Sequence, residues 1–205
     1  MRTSIVDRMM RGIRGKVPGW AFSARDFTDL GGRSAIDVAL HRLNQDGEIR
    51  RVIRGLYDRP AYSNLLAGPM SPDVDQVARA LARKFGWRIQ PGGATAQNLL
   101  GLSTQLPARY VYRSDGPARS YRVGKTELVF KHAALKEAGF RHRESALIVE
   151  ALKSLGRERM TPETIEKIRF WLPASMREKV LTDTATVTGW VYAGVQEICR
   201  EDQDG

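Results

Sequence analysis

Cysteine is almost missing from this 205-residue chain, in which Cys199 stands alone. One thiol allows no internal disulfide and no cysteine-based zinc site within a single chain, and a small buried side chain in a C-terminal helix is the role that fits it. Histidine is nearly as scarce: His41, His132 and His142 are too scattered for a recognisable metal triad. No run of eighteen apolar residues occurs, so no membrane-spanning helix is expected and no membrane partner is inferred. The opening MRTSIVDRMMRGIRG carries charges throughout, where a secretory leader needs an apolar stretch, and this predicts a cytoplasmic protein. Internal repeats and low-complexity tracts are absent as well.

Catalytic patterns fail one by one. Gly124-Lys125-Thr126 has the end of a phosphate-binding loop, but that loop needs a glycine five residues before Gly124, and Arg119 stands there. Glu144 with Glu150, or Glu163 with Glu166, could pair for acid–base work, yet no nucleophile, metal motif or cofactor loop accompanies them, and solvated helix faces explain them better. No enzyme activity, cofactor or metal is therefore expected.

What the chain has in excess is positive charge, a formal +10 from 33 Lys and Arg against 23 Asp and Glu. The excess is uneven: residues 1–60 carry +5, residues 61–143 carry +8, and residues 144–205 carry −3. A polyanion would meet the first two thirds of the chain, and counterion release would make such binding weaken steeply with salt. Basicity alone does not establish nucleic-acid binding, since it serves solubility equally well.

The N-terminal pattern is more specific. Ser4 to Arg14 reads as an opening helix with Ile5, Met9 and Ile13 at four-residue spacing, closed by Gly15 and Pro18. Ser23 can cap a second helix beginning at Ala24 and carrying Phe27 and Leu30 toward a core, and Gly31-Gly32 breaks it. From Arg33, the residues Ala35, Ile36, Ala39, Leu40 and Leu43 form one apolar stripe, with Arg33, Ser34, Asp37, His41 and Arg42 opposite. Gly47 suits a left-handed position after that helix; Ile49 to Val52 is β-prone, Gly55 turns, and Leu56 to Asp58 returns. Helix, Gly-Gly, amphipathic helix and arginine-edged hairpin is the order of a winged helix-turn-helix. In such a module Arg33, Ser34, Asp37 and His41 are the base-reading candidates. Arg42, Arg50, Arg51 and Arg54 are the candidates for phosphate or wing contacts. For each arginine taken singly, solvating the edge of a small domain is the alternative.

A connection at Arg59 to Pro69 places a domain boundary near residue 65, giving a DNA-binding domain over 1–65 and a second domain over 66–205. Ser71-Pro72-Asp73 starts a helix, with Ser71 able to cap and Val74, Val77, Ala78, Leu81 and Phe85 on one face as far as Gly86. Gln97 to Leu102 can form a short helix. Ala108 to Arg113, Ser120 to Val123 and Glu127 to Lys131 then read as a small antiparallel sheet. Ala146 to Leu155, Glu163 to Trp171 and a segment ending near Arg200 read as helices. The fold class expected is α+β throughout. In the sheet, Arg109, Arg113, Arg119, Arg122, Lys125 and Lys131 interleave with Tyr110, Tyr112 and Tyr121. This suits either a second nucleic-acid surface, with rings stacking on bases, or a half-buried sheet with a charged outer side, and the latter is preferred.

Two stretches resemble a known family. Ser34-Ala35-Ile36-Asp37-Val38-Ala39-Leu40-His41-Arg42-Leu43, Asp46-Gly47-Glu48-Ile49-Arg50-Arg51, Arg54-Gly55-Leu56-Tyr57 and Pro60 form the first. Ala96-Gln97-Asn98-Leu99-Leu100-Gly101-Leu102-Ser103-Thr104-Gln105-Leu106-Pro107, followed by the strand with Tyr110 and Tyr112, forms the second. In that order they are similar to the AbiEi-type antitoxins of bacterial type IV toxin-antitoxin systems. The resemblance implies a transcriptional repressor that binds inverted repeats in double-stranded promoter DNA and autoregulates its operon. It also implies functional pairing with a nucleotidyltransferase-like toxin, opposed without a stable complex. A dimer on DNA would match palindromic repeats. An interaction module that binds and neutralises a partner toxin directly is the alternative. The acidic residues 144–205 match no motif of the family.

Overall fold

In the computed structural model, which describes residues 4–65, 67–103, 107–134 and 140–200, the chain is α+β and divides into two compact units. The first comprises Met1–Ile89 with Ser120–Leu128, the second Gln90–Arg119 with Val129–Gly205.

Helix α1 (Ile5–Arg14) begins where Ser4 accepts from the Asp7 amide while the Asp7 carboxylate accepts from the Ser4 amide, a capping box that satisfies two donors left free at a helix start. Strand β1 (Ala21–Phe22) follows, and then a four-residue 3-10 turn, Ala24–Phe27, stands where a full helix was expected. The turn stays tight because Ser23 and Asp26 close a capping box around it and the Leu30 amide donates to the Phe27 carbonyl at 2.9 Å, three residues back. Helix α2 (Arg33–Gln45) buries Ile36, Ala39, Leu40 and Leu43. Ala35, expected on that stripe, is exposed because its direction falls beyond the edge of the buried four.

Strands β2 (Arg50–Ile53) and β3 (Leu56–Asp58) form the hairpin around Gly55, whose φ of 72° requires glycine's freedom. The hairpin adds to β1 in an antiparallel sheet of order β1–β3–β2, with Ala21 opposite Asp58 and Arg51 opposite Tyr57, and a bulge between Arg51 and Ile53. The two-residue β1 gave no periodic signal. Beneath the sheet Phe22 stacks on Trp20 at 5.1 Å and meets Phe27 edge-on at 5.5 Å, within a core that includes Met9, Ile13 and Ile36.

The expected linker holds a further small hairpin, β4 (Tyr62–Ser63) with β5 (Gly68–Pro69). The first unit continues past residue 65 to Ile89, because α3 (Val74–Phe85) folds back onto it. Arg83 donates to the Asp26 carboxylate and to the Ala21 carbonyl, both at 2.7 Å, and its guanidinium lies 5.5 Å from the Trp20 ring. Asp73, rather than Ser71, caps α3, its carboxylate accepting from the Asp75 and Gln76 amides. The shorter reach of Asp73 to its own second and third neighbours decides the matter.

The second unit contains α4 (Gly93–Leu99), which starts four residues before the expected short helix. A four-stranded sheet, whose residues 120–128 are counted with the first unit, has the order β6–β7–β9–β8, from β6 (Ile89–Pro91), β7 (Arg109–Ser114), β8 (Arg119–Val123) and β9 (Thr126–His132). Then come α5 (Arg143–Leu155), α6 (Pro162–Trp171), α7 (Ala174–Asp183) and α8 (Gly189–Cys199). Leu147, Ile148, Leu152, Ile165, Ile168, Val191, Val195 and Ile198 fill their shared core. Helices α4 and α5 cross so closely that a β carbon at Gly93 would overlap the side chain of Ser154. The Thr104–Leu106 portion of the second family motif lies outside the described residues.

Candidate nucleic-acid interface

The burial of Ile36, Ala39, Leu40 and Leu43 forces the other side of α2 outward, and Arg33, Ser34, Asp37, His41 and Arg42 are all exposed there. The structure therefore brings the five helix candidates onto one surface. Arg33 Nε donates to Asp37 Oδ2 at 2.8 Å, and Arg42 Nε lies 3.8 Å from Asp46 Oδ2, each one turn apart. Gly32 precedes the helix, so no side chain caps the α2 amides among the described residues, and the positive end of the helix dipole faces outward beside Arg33.

The hairpin arginines separate into two kinds. Arg50 is held by the protein: Nε and Nη2 donate to the two carboxylate oxygens of Asp58 at 3.0 and 2.6 Å, and Nη1 donates to the Met70 carbonyl at 2.9 Å. Asp58 is 1% exposed, so the guanidinium neutralises a buried carboxylate between adjacent strands. Arg50 thus acts as a brace of the sheet. Arg51 and Arg54 are exposed and meet no carboxylate among the described residues; the Arg51 amide donates to Asn44 Oδ1 at 3.0 Å.

A lysine missed in the sequence joins them. Lys84, near the end of α3, reaches the carbonyls of Arg54 and Gly55 at 3.5 Å each. Burial, and then the charges of Arg33 and Arg54, hold its ammonium below the ordinary lysine value. Lys84 thus stands close enough to Arg33 and Arg54 to feel both charges, and positive charge gathers at the edge shared by the α2 start and the hairpin tip. Only the folding of α3 onto the hairpin, about thirty residues away in sequence, creates this cluster, so no local pattern announces it. Val38 was missed as well: it stands in the middle of the outer face of α2, 67% exposed.

Two of the three tyrosines of the four-stranded sheet are committed to packing and hydrogen bonding inside the protein. Tyr112 is 1% exposed and packs 6.0 Å from the Phe130 ring, while the Tyr110 hydroxyl donates to Asn98 Oδ1 at 2.9 Å. Arg113 pairs with Glu150 at 2.6 Å. Arg109, Arg119, Arg122, Lys125 and Lys131 are exposed.

The other chemistry-bearing groups are dispersed. His132 Nδ1 lies 2.9 Å from the Gly116 carbonyl, and His142 lines a cavity of about 410 Å³ with Arg141, Glu178, Lys179, Thr182 and Asp183. In that cavity Asp183 accepts from the Arg141 and His142 amides at 2.9 and 3.0 Å. Burial pushes its pKa up, but these hydrogen bonds together with Ser145 and His142 outweigh burial and hold it below the usual carboxylate value. Burial pushes the Cys199 thiol up to about 11. Among the described residues no three His, Cys, Asp or Glu side chains are grouped to hold a metal ion.

A family model, described as a family of unknown function (DUF6088), matches residues 8–180. The chain belongs to the DUF6088 family. That match spans most of α1, the α2 face, the β2–β3 hairpin, the four-stranded sheet and most of α7. No curated protein matches this DUF6088 chain. Among solved structures it is similar to the crystal structure of the RV2827C protein from Mycobacterium tuberculosis, at 14% identity and a TM-score of 0.41, over 95% of this chain and 76% of that one.

Proposed function

We propose that this protein is a sequence-specific DNA-binding regulator whose N-terminal unit acts as a winged helix-turn-helix. In this reading α2 enters the major groove, and the β2–β3 hairpin is the wing lying along the adjacent backbone. The observation that carries it is the gathering of Arg33, Arg54 and Lys84 at one edge, next to an α2 face cleared of core residues. Arg33 is paired with Asp37, while Arg54 and Lys84 meet no carboxylate among the described residues, and such an excess of cations beside a polar helix suits a partner whose phosphates supply negative charge. Arg33, Ser34 and His41 are then the base-facing side chains, with Asp37 beside them holding Arg33, and Arg42, Arg51 and Arg54 the backbone contacts.

The repressor of its own operon and the antitoxin of a type IV pair are the roles proposed from the resemblance to AbiEi-type proteins. The test is a gel-shift titration of the full chain against its own upstream region and a scrambled duplex at several salt concentrations. Preference for the upstream duplex, with affinity falling steeply as salt rises, supports the proposal. Equal affinity for both duplexes reduces it to nonspecific binding, and no binding at low salt removes it.

Direct neutralisation of a partner toxin is the second reading. Phe170 favours it: this ring is 96% exposed on α6, beside Trp171 and Leu99 in a depression of about 660 Å³. A stable stoichiometric complex with the neighbouring gene product would support that reading and count against a type IV mechanism.

A further inference from the structure

Two side chains on α2 are placed in ways that stability does not account for. Arg33 and Asp37 are both well exposed, and exposed pairs one turn apart contribute little to folding. What the 2.8 Å contact does is geometric: with Nε held by Asp37 Oδ2, the guanidinium plane is fixed and its far edge, Nη1 and Nη2, points away from the pair. No other partner engages that edge among the described residues. Val38 belongs neither to the buried stripe nor to the polar set around it, and valine is a poorer helix former than alanine. An exposed branched methyl pair at the centre of this face gains nothing from water.

From this geometry we propose, on the footing of the DNA-binding reading above, that Arg33 recognises a guanine and Val38 a neighbouring thymine. Guanine presents O6 and N7 side by side in the major groove, two acceptors matched to the free edge of a guanidinium. Thymine's C5 methyl is the one apolar group on the floor of that groove, and Val38 is the one apolar side chain at the centre of the helix face that would meet it. Asp37 is a positioning residue: it touches no base in this scheme and acts by aiming Arg33. Five residues along a helix rise about 7.5 Å. They also lie about 140° apart around the helix, so the long Arg33 side chain reaches the groove from the flank of the face that Val38 centres, and the two bases lie within a few steps of each other.

The experiment is selection of the full-length protein on a randomised duplex library, followed by titration on the selected site. The wild type is expected to enrich a half-site containing guanine with thymine within a few positions of it. Exchanging that guanine should weaken binding roughly ten- to a hundredfold. Arg33→Lys keeps the charge and should lose the guanine preference, Asp37→Asn should lose part of it, and both should retain binding to the remaining positions. Replacing the thymine with uracil removes only the methyl group; it should weaken the wild type severalfold and leave Val38→Ala unchanged. A motif lacking guanine, or Arg33→Lys and Val38→Ala proteins that select the wild-type motif with wild-type sensitivity to uracil, overturns the assignment while the DNA-binding reading stands. Enrichment of no motif by the wild type overturns that reading itself.

Discussion

The α2 helix of the first unit and the α5 helix of the second have the same length, thirteen residues, and opposite surroundings. Helix α2 buries four side chains and turns Arg33, Ser34, Asp37, Val38, His41 and Arg42 outward, whereas α5 buries six, from Ser145 to Leu152, and is enclosed by α4, α7 and α8. A helix packed on one side keeps a face for recognition, and a helix packed nearly all round keeps none. Helix α2 keeps such a face because the core of the first unit takes only four of its side chains. The second unit shows mainly how it is held together.

The sharpest way to break this contrast is to cut into each core. Leu147→Ala, at the centre of the second unit, should lose about 2–5 kcal/mol in urea unfolding, while DNA affinity measured well below the transition stays at the wild-type level. A parallel loss of DNA binding under those conditions would show that the two units do not divide the labour in this way.

The next effect separates two arginines that are neighbours in sequence. Arg50→Ala leaves the buried Asp58 carboxylate unpaired and should cost about 2–4 kcal/mol of stability, below the full penalty for a buried pair because Arg50 is partly solvated. Arg51→Ala should change stability by no more than about 0.5 kcal/mol. It should nonetheless weaken DNA binding and lower the salt slope by about one contact. Equal stability losses in the two variants would contradict the distinction between brace and contact.

A smaller effect concerns acid. The Asp183 pKa is lower folded than unfolded, so its contribution is present above the ordinary carboxylate value and lost as the pH falls through the depressed one. Thermal melts from pH 6 down to pH 2.5 should show wild type losing more stability than Asp183→Asn across the acid end of that range. The smallest effect is chemical. With its pKa pushed up to about 11 and its side chain buried, Cys199 should resist iodoacetamide at pH 8 until the chain is unfolded, as read by mass spectrometry.

How far the sequence could be read follows from where each signal lay. The starts of α1 and α6 were visible because Ser4 and Thr161 cap them within three residues, and α2 because four core residues recur at helical spacing. The shortness of the 3-10 turn after Ser23 was not, since its apolar residues Phe27 and Leu30 suit either a turn or a helix of two turns. Strands β1 and β6, with two and three residues, are too brief for any period to register. Helix α7 was overlooked because Val180 is its one fully buried residue, so it carries scarcely any apolar stripe. At the candidate interface the outward set on α2 followed from the inward one. The capture of Arg50 by Asp58 and the approach of Lys84 to the hairpin required partners eight and thirty positions away, and such encounters are set by the tertiary fold.

The crossing at Gly93 has a consequence for how such a molecule can change. Where Ser154 leaves no space for even a methyl group, almost every substitution would pry two helices apart, so this part of the scaffold admits hardly any variation. The outer side of α2 is bounded by solvent alone, and new side chains can be tried there without shifting the backbone. On the DNA-binding reading proposed above, a lineage built on this plan can therefore alter the sequence it selects while its framework stays put.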